Sequence, residues 1–442
     1  MKDSRFDRRD FVRTAGLTAA AAGGILAAPS FARTLGRAER ELRIGVVGCG
    51  GRGTGAAVNA LEASSDARIT AMGDLFADRL DSSLANLRRN KAAGEDGARV
   101  DVPAARRFTG FDAFQGVIDS DCDIVILATP PGFRPQHFQA AVAGGKNVFM
   151  EKPVAVDATG IRMVMEAAAA ADAKKLSVVS GTQRRHEKCY IEAMERLHRG
   201  DIGRLLAARC YWNMGGLWKV DPSKDKSDLE NQIRNWLYFT WLSGDHIVEQ
   251  HVHNLDAINW AFQSPPTEVF GVGGRQSRTS GEFGHIFDHF GLEYRYPEDR
   301  FAMSMCRQQV GTAGRVEEVI TGAEGSATLT SGRAVITGPK AWRFKGPQRN
   351  PYVQEHMDLQ ASVLGKGEYL NEGQRIAEST LTAIMGREAA YTGKVITFEE
   401  ALNSEQDLMP ELMEFTEMKT PAIPVPGKTR MDRSDDARPA RG

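Results

Sequence analysis

Cysteine is scarce in this chain of 442 residues. The five present (Cys49, Cys122, Cys189, Cys210 and Cys306) are scattered, odd in number and never at C-x-x-C spacing. Such a set supports neither a disulfide framework nor a zinc knuckle, so buried thiols are expected. An excess of one charge is also absent: 56 Lys and Arg against 57 Asp and Glu leave a formal net charge of -1. A nucleic-acid partner is therefore not expected, since its phosphates call for a basic surplus. Long apolar runs are missing too. Residues 14–28 are rich in alanine and glycine and too short for a membrane span, which needs roughly 20 strongly apolar residues.

That stretch has a context. Asp7-Arg8-Arg9-Asp10-Phe11 precedes it, and Ser30-Phe31-Ala32 follows with small residues where a signal peptidase reads. The layout resembles a twin-arginine export signal cleaved after Ala32, which implies a periplasmic or secreted protein that meets the twin-arginine machinery already folded. The length exceeds one core, so two domains are expected behind the leader.

Residues 42–47 form a short apolar run, read as a buried strand. It feeds Gly48-Cys49-Gly50-Gly51-Arg52-Gly53, a G-x-G-x-x-G, and residues 54–61 suit a helix. In such a turn the first glycine permits the bend. The second clears the path of a pyrophosphate, and the third lets helix and strand pack closely. The helix N-terminus then offers free N–H groups to the phosphates. A second strand at 67–72 ends in Gly73-Asp74, and Asp74 lies about 20 residues past the last glycine, as a dinucleotide fingerprint requires. A carboxylate there accepts ribose hydroxyls and repels an added phosphate, which favours NAD over NADP. As a plain structural residue, Asp74 would serve a turn or a helix N-cap. The alternation continues with a helix at 110–119, a strand at 123–128, the turn Thr129-Pro130-Pro131, a helix at 136–143 and a strand at 145–150.

Met150 is followed by Glu151-Lys152-Pro153. With the glycine fingerprint, Ala128-Thr129-Pro130-Pro131 and His137, and Gly144-Gly145-Lys146-Asn147-Val148, this resembles the Gfo/Idh/MocA oxidoreductases, the glucose–fructose oxidoreductase and inositol dehydrogenase group. Softer matches follow at Glu318–Ser326, Asn350–His356 and Ala390–Lys394, so the resemblance spans nearly all of the chain behind the leader. It implies a cofactor site made by Gly48, Gly50, Gly51, Arg52, Gly53, Asp74, Thr129, Pro130, His137, Glu151 and Lys152. It also implies that Lys152 sits beside the nicotinamide and polarises the reacting oxygen, which suits an ammonium facing developing alkoxide charge.

A second constellation lies in Gly244-Asp245-His246-Ile247-Val248-Glu249-Gln250-His251-Val252-His253-Asn254-Leu255-Asp256, where apolar spacing predicts one helix. On it Glu249 and His253 would be i,i+4 neighbours, with Asp256 a turn further. The family commonly shows Asp-x-Gly-x-His-x-x-Asp here. This chain matches at His253 and Asp256 and departs with Glu249 and His251, which implies a different substrate pocket. His253 is expected to take the hydroxyl proton, oriented by Glu249. Two rival readings are a metal site on His246, Glu249 and His253, which lacks HExxH spacing, and a polar helix end that only satisfies hydrogen bonds. No metal is expected.

By resemblance Gln183, Arg184 and Arg185 approach the substrate; the two arginines fit a solvated turn equally well. Trp212, Trp218, Trp236, Tyr238 and Trp241 cluster in sequence and suit stacking on a sugar ring, or simple core packing. Strands are read at 205–213, 268–274, 291–296, 301–308 and 327–337, a helix at 154–173, a strand at 176–180 and a solvated loop at 94–107. The expected fold class is an α/β N-terminal Rossmann domain plus an α+β C-terminal domain with an open, largely antiparallel sheet. Its parts are a leader (1–32), a Rossmann domain (40–155), a substrate and oligomerisation domain (156–420) and an extended tail (421–442). The expected function is hydride transfer between NAD and a sugar or polyol hydroxyl. Export implies a cofactor carried tightly bound, because no free nicotinamide pool is expected outside the cell. The competitors are a redox-assisted glycosidase and a non-catalytic NAD sensor. A homo-oligomer is expected.

Overall fold

The computed structural model describes residues 41–410 and 414–432. The expected export signal and the last ten residues of the expected tail lie outside the described residues. The tail's described part, residues 421–432, contains no helix or strand.

The first sheet has six parallel strands in the order β3-β2-β1-β4-β5-β6. They are β1 (Leu42–Val47), β2 (Ala67–Asp74), β3 (Arg107–Thr109), β4 (Ile124–Leu127), β5 (Asn147–Met150) and β6 (Val178–Ser180). Strands β1 and β4 read LRIGVV and IVIL, almost wholly buried, because helices cover both faces of a parallel sheet. The sequence places a Rossmann boundary at 155, yet β6 pairs with β5 and completes this sheet. The alanine-rich helix starts at Ala158, four residues later than spacing suggests, because Asp157 caps it through Gly160 N at 2.7 Å.

The second sheet has nine strands in the order β14-β13-β12-β11-β7-β10-β9-β8-β15. These are β7 (Leu205–Met214), β8 (Glu268–Gly274), β9 (His289–Tyr296), β10 (Arg300–Gln308), β11 (Arg315–Gly322), β12 (Ser326–Thr330), β13 (Arg333–Thr337), β14 (Trp342–Arg343) and β15 (Ile396–Thr397). All its pairings are antiparallel except β7 with β10. The segment read as one strand at 327–337 is a hairpin, turned at Ser331-Gly332 where Gly332 has φ +78°. Helices Val252–Phe262 and Gly373–Thr392 pack on one face of this sheet and are buried along most of their length. Leu292, Tyr294, Ala302 and Ile320 of the sheet share one core with Ile258, Leu381 and Met385 of the helices.

Two local readings are refined. Residues 94–107 are mostly exposed, as expected of a solvated loop, yet anchored: Val100 and Val102 are buried, and Arg99 donates to the carbonyls of Ala92 and Leu61 at 2.8 Å each. The helix expected across 244–256 is a π-helical turn, Ile247–His251, running into the α-helix Val252–Phe262. A wider turn shifts every side chain before it relative to those after it, so simple i,i+4 reasoning fails across this join.

Candidate active site

The glycine turn fits a dinucleotide. Gly48 has φ +92°, which lets the chain turn tightly out of β1. A Cβ at Gly53 would strike the Gly48 carbonyl oxygen at 1.8 Å, whereas one at Gly50 would meet nothing within 4 Å. Gly48 and Gly53 are thus fixed by backbone conformation and contact, and Gly50 faces open space. The helix Gly51–Ala63 begins there and points its free N–H groups at the same space. Asp74, at the end of β2, accepts the Cys49 N–H at 2.6 Å and the Phe76 N–H at 2.9 Å. It ties the turn to β2 while lining the cleft. Burial raises its carboxyl above the usual range.

This space is a cavity of about 700 Å³ bounded by both domains. Gly48, Gly50, Gly51, Arg52, Asp74, Thr129, Pro130, His137, Glu151 and Lys152 all line it, as do Gln183, Trp212, Glu249 and His253. Gly53 stands behind the turn and supports it. His137 accepts or donates at Nδ1 to Thr129 Oγ1, 3.2 Å away, and stacks on Phe114 at 4.2 Å. Burial, then the charge of Arg134, pushes its pKa down to about 3, so the ring is neutral. Arg52 is ion-paired with Glu151 and lies 3.4 Å from Glu355.

Lys152 and the second constellation converge. Lys152 Nζ donates to the Glu249 carbonyl at 2.6 Å and meets the Glu249 carboxylate at 3.3 Å. His253 stacks on Trp212 at 5.7 Å and 19°, and its Nδ1 is buried without a protein partner. Burial, with the positive charge of Lys152 next, holds its pKa well below the ordinary histidine value, so the imidazole is a neutral base. Glu249 was expected to orient His253; instead it serves Lys152, because the π turn carries its carboxylate and carbonyl across to the Rossmann side. Gln183 also lines the cavity and keeps a buried, unpartnered Oε1.

Three residues expected at the substrate lie beneath the site. Arg184 is buried in an ion pair with Glu318. Arg185 binds Asp256 through Nε at 2.8 Å and Nη2 at 2.9 Å. Asp256 also accepts from Arg375 at 3.1 Å and Ser379 at 2.8 Å. Burial alone would raise the Asp256 carboxyl, yet the guanidinia of Arg185 and Arg375 hold it well below the usual range. A buried carboxylate with two cations is already satisfied, and none of the three lines the cavity. His246 likewise sits in the core against Phe290, bonded to Asp245 Oδ1 at 2.9 Å, and is not part of the cavity wall. All five cysteines are buried and free.

Sequence spacing did not reveal Arg134. Its fully buried guanidinium donates to the carbonyls of Glu151 at 2.5 Å and Pro153 at 2.7 Å, and to that of Thr129. Burial lowers its pKa to about 10. It staples the two strand ends that present Thr129 and Lys152 to the cavity. The pattern around it offers no signal, since an arginine opening a helix ordinarily faces water.

Residues 42–180 match the oxidoreductase family described as having an NAD-binding Rossmann fold, and residues 190–328 match the GFO/IDH/MocA C-terminal domain. An inositol 2-dehydrogenase of Acidothermus cellulolyticus is 25% identical over 72% of this chain and 79% of its own length. Inositol 2-dehydrogenase 4 of Saccharopolyspora erythraea is 33% identical over 39% of this chain and 45% of its own. Among solved structures, scyllo-inositol dehydrogenase of Lactobacillus casei with NAD(H) and scyllo-inositol superposes with a TM-score of 0.60 at 19% identity, covering 81% of this chain and 100% of the other. An aldose-aldose oxidoreductase of Caulobacter crescentus gives 0.63 at 18% identity, with coverage of 81% and 100%. With two consecutive family matches laid over a glycine turn, an acid at the end of β2 and a lysine just past β5, this chain belongs to the Gfo/Idh/MocA family of oxidoreductases with an NAD-binding Rossmann fold.

Proposed function

We propose that this protein oxidises a secondary hydroxyl of a polyol or sugar, or runs the reverse reduction. The observation carrying this reading is the meeting of Lys152, Glu249 and His253 in one cavity with the glycine turn. When bound, NAD supplies the hydride acceptor. His253, neutral at working pH, takes the hydroxyl proton on its imidazole. Lys152, held by Glu249, hydrogen-bonds the same oxygen and stabilises its developing negative charge. Trp212 walls the pocket beside His253 and offers a flat apolar surface to a ring bearing axial C–H groups. The inositol 2-dehydrogenases among the relatives make cyclic polyols the first substrates to try.

The leader adds two further parts to the proposal: export by the twin-arginine route, and a cofactor that leaves the cytoplasm bound and is reoxidised in place by a second carbonyl compound. The oligomer is assigned to the open face of the second sheet. Val272, Gly291 and Met305 lie in one cross-strand row there, and Phe270, Val272, Phe301 and Met305 are exposed.

Purified protein should be incubated with inositols and aldoses, with and without added NAD, while reduced-nicotinamide absorbance and products are followed. Oxidised polyol is the expected product. Release of an aglycone from aryl glycosides would mark a glycosidase instead, and no turnover despite bound nucleotide would mark a sensor. Export is tested by replacing Arg8 and Arg9 with lysines; a protein that still reaches the periplasm would sink that part.

A further inference from the structure

Beside Asp74 the cleft wall is built by Phe76, Arg79 and Phe111 of the Rossmann domain and by Arg234 of the second domain. The acid after β2 is the group that meets the adenosine ribose in this fold, so this is the adenosine end of the cleft. Two separate pieces of chain converge on the Phe76 ring. The Arg234 guanidinium carbon stands 3.8 Å over its centroid, and the two Nη atoms each reach an Asp78 carboxylate oxygen at 3.2 Å. Phe415 stacks on Phe76 at 6.0 Å and 13°, and tilts against Phe111 at 5.2 Å.

The segment bearing Phe415 is bound to the helix that carries Arg234, Asp228–Arg234. Leu229 N donates to Thr416 O at 3.2 Å, Gln232 Nε2 to Met418 O at 2.8 Å, and Met418 N to Asp228 Oδ2 at 3.2 Å. Arg234 and Phe415 therefore reach the Rossmann domain as one unit. The contacts are poor core: Phe415 is 46% exposed and the Asp78 side chain 63% exposed. An open aromatic and a solvated ion pair add little to fold stability. Arg234, with the Phe76 and Phe111 rings that Phe415 packs against, does, however, offer a planar cation and aromatic faces at the place where a flat, apolar-faced purine must lie.

We propose that Arg234 and Phe415, seated on Phe76, form a clasp over the adenosine end of the cleft that slows release of the bound dinucleotide. The proposal rests on the reading of NAD as a tightly held cofactor and names the residues that hold it. Neither residue takes part in proton or hydride transfer, so the clasp acts on residence time and not on the chemical step.

The test is the rate at which NADH leaves protein that has been stripped and reloaded, read by nicotinamide fluorescence during a chase with excess NAD. Arg234→Ala and Phe415→Ala should each speed release about tenfold, and the double variant on the order of a hundredfold. Affinity for AMP should fall in parallel, while nicotinamide mononucleotide binds as before. Asp78→Asn, a surface change that removes only the Arg234 tether, should give a smaller acceleration of the same kind. The clasp is overturned if Phe415→Ala and Asp78→Asn both release NADH at the wild-type rate, or if both nucleotide halves weaken equally. Wild-type protein that loses its nucleotide on desalting would instead defeat the resident-cofactor reading. The ratio of variant to wild-type rates still decides the clasp in that case.

Discussion

Lys152 Nζ is held by the same residue twice, through the Glu249 carbonyl at 2.6 Å and the Glu249 carboxylate at 3.3 Å. One bond comes from backbone and one from side chain, so the ammonium keeps its place even when the carboxylate is removed. Glu249→Gln is therefore expected to lower kcat only about tenfold, with NAD affinity unchanged. Had Glu249 oriented His253, the same variant would fall as far as loss of His253 itself. Steady-state kinetics of the two variants side by side separate these cases.

Lys152→Ala and His253→Ala each remove a group that faces the reacting oxygen. Each should reduce kcat on the order of 100- to 10,000-fold, the range for a positioned acid or base. Nucleotide binding should persist, because the glycine turn and Asp74 remain. Isothermal titration with NAD beside turnover measurements checks both halves; wild-type turnover in either variant would remove that residue from the chemistry.

Asp74 both fastens the glycine turn and lines the adenosine end, and Arg79 lies close enough to lower its pKa against the effect of burial. Asp74→Ser keeps a hydrogen-bond acceptor for the Cys49 N–H but removes the charge that repels a 2′-phosphate. The expected outcome is weaker NAD binding and a rise of roughly tenfold or more in NADP affinity relative to NAD, with Arg79 free to receive the phosphate. An unchanged NAD-to-NADP ratio would take Asp74 out of cofactor selection.

Acid should destabilise this protein before most of its carboxylates are protonated. Burial pushes His137 and His251 to about 3 and holds His253 and His356 well below the ordinary value. Their folded pKa values are depressed, so below about pH 6.5 the unfolded chain binds more protons and stability is lost as pH falls. The loss is up to about 1.4 kcal/mol per pH unit for each such histidine. Asp157, raised to about 6 by burial, and the raised Glu355 bind protons more readily when folded and offset part of this. His186 has the opposite sign. Burial lowers it, but Asp358 and Glu372 outweigh that and raise its pKa to about 10, so its contribution is full below pH 6.5 and fades toward pH 10. Urea midpoints should peak near neutrality and fall on both sides, and His186→Gln should flatten the alkaline side.

The open sheet face predicts an assembly defect. Val272 is 70% and Met305 43% exposed in one cross-strand row of that face. Val272→Glu with Met305→Glu places charge where a second copy would seat and should leave a folded monomer in sedimentation. A wild-type protein that already sediments as a monomer would dismiss the interface.

Several features were decided by local sequence. The strand–glycine-turn–helix entry, Asp74 and the strand before Lys152 depend on neighbours a few residues away, where turn sterics and apolar runs speak for themselves. Most strands of the second sheet were legible for the same reason, but β11, β14 and β15 were not read from alternation, nor was the Ser331-Gly332 turn inside the segment 327–337. Tertiary structure alone decided the rest. Spacing cannot show that Asp256 is spent on Arg185 and Arg375, that Arg184 is spent on Glu318, or that Arg134 turns inward to staple two strand ends. Nor does it foresee the π turn that swings Glu249 to Lys152, since one added residue per turn leaves no mark on composition. A charged side chain's role is set by the groups that meet it in the fold, and for Asp256, Glu249 and Arg184 these lie 71, 97 and 134 residues away in the chain.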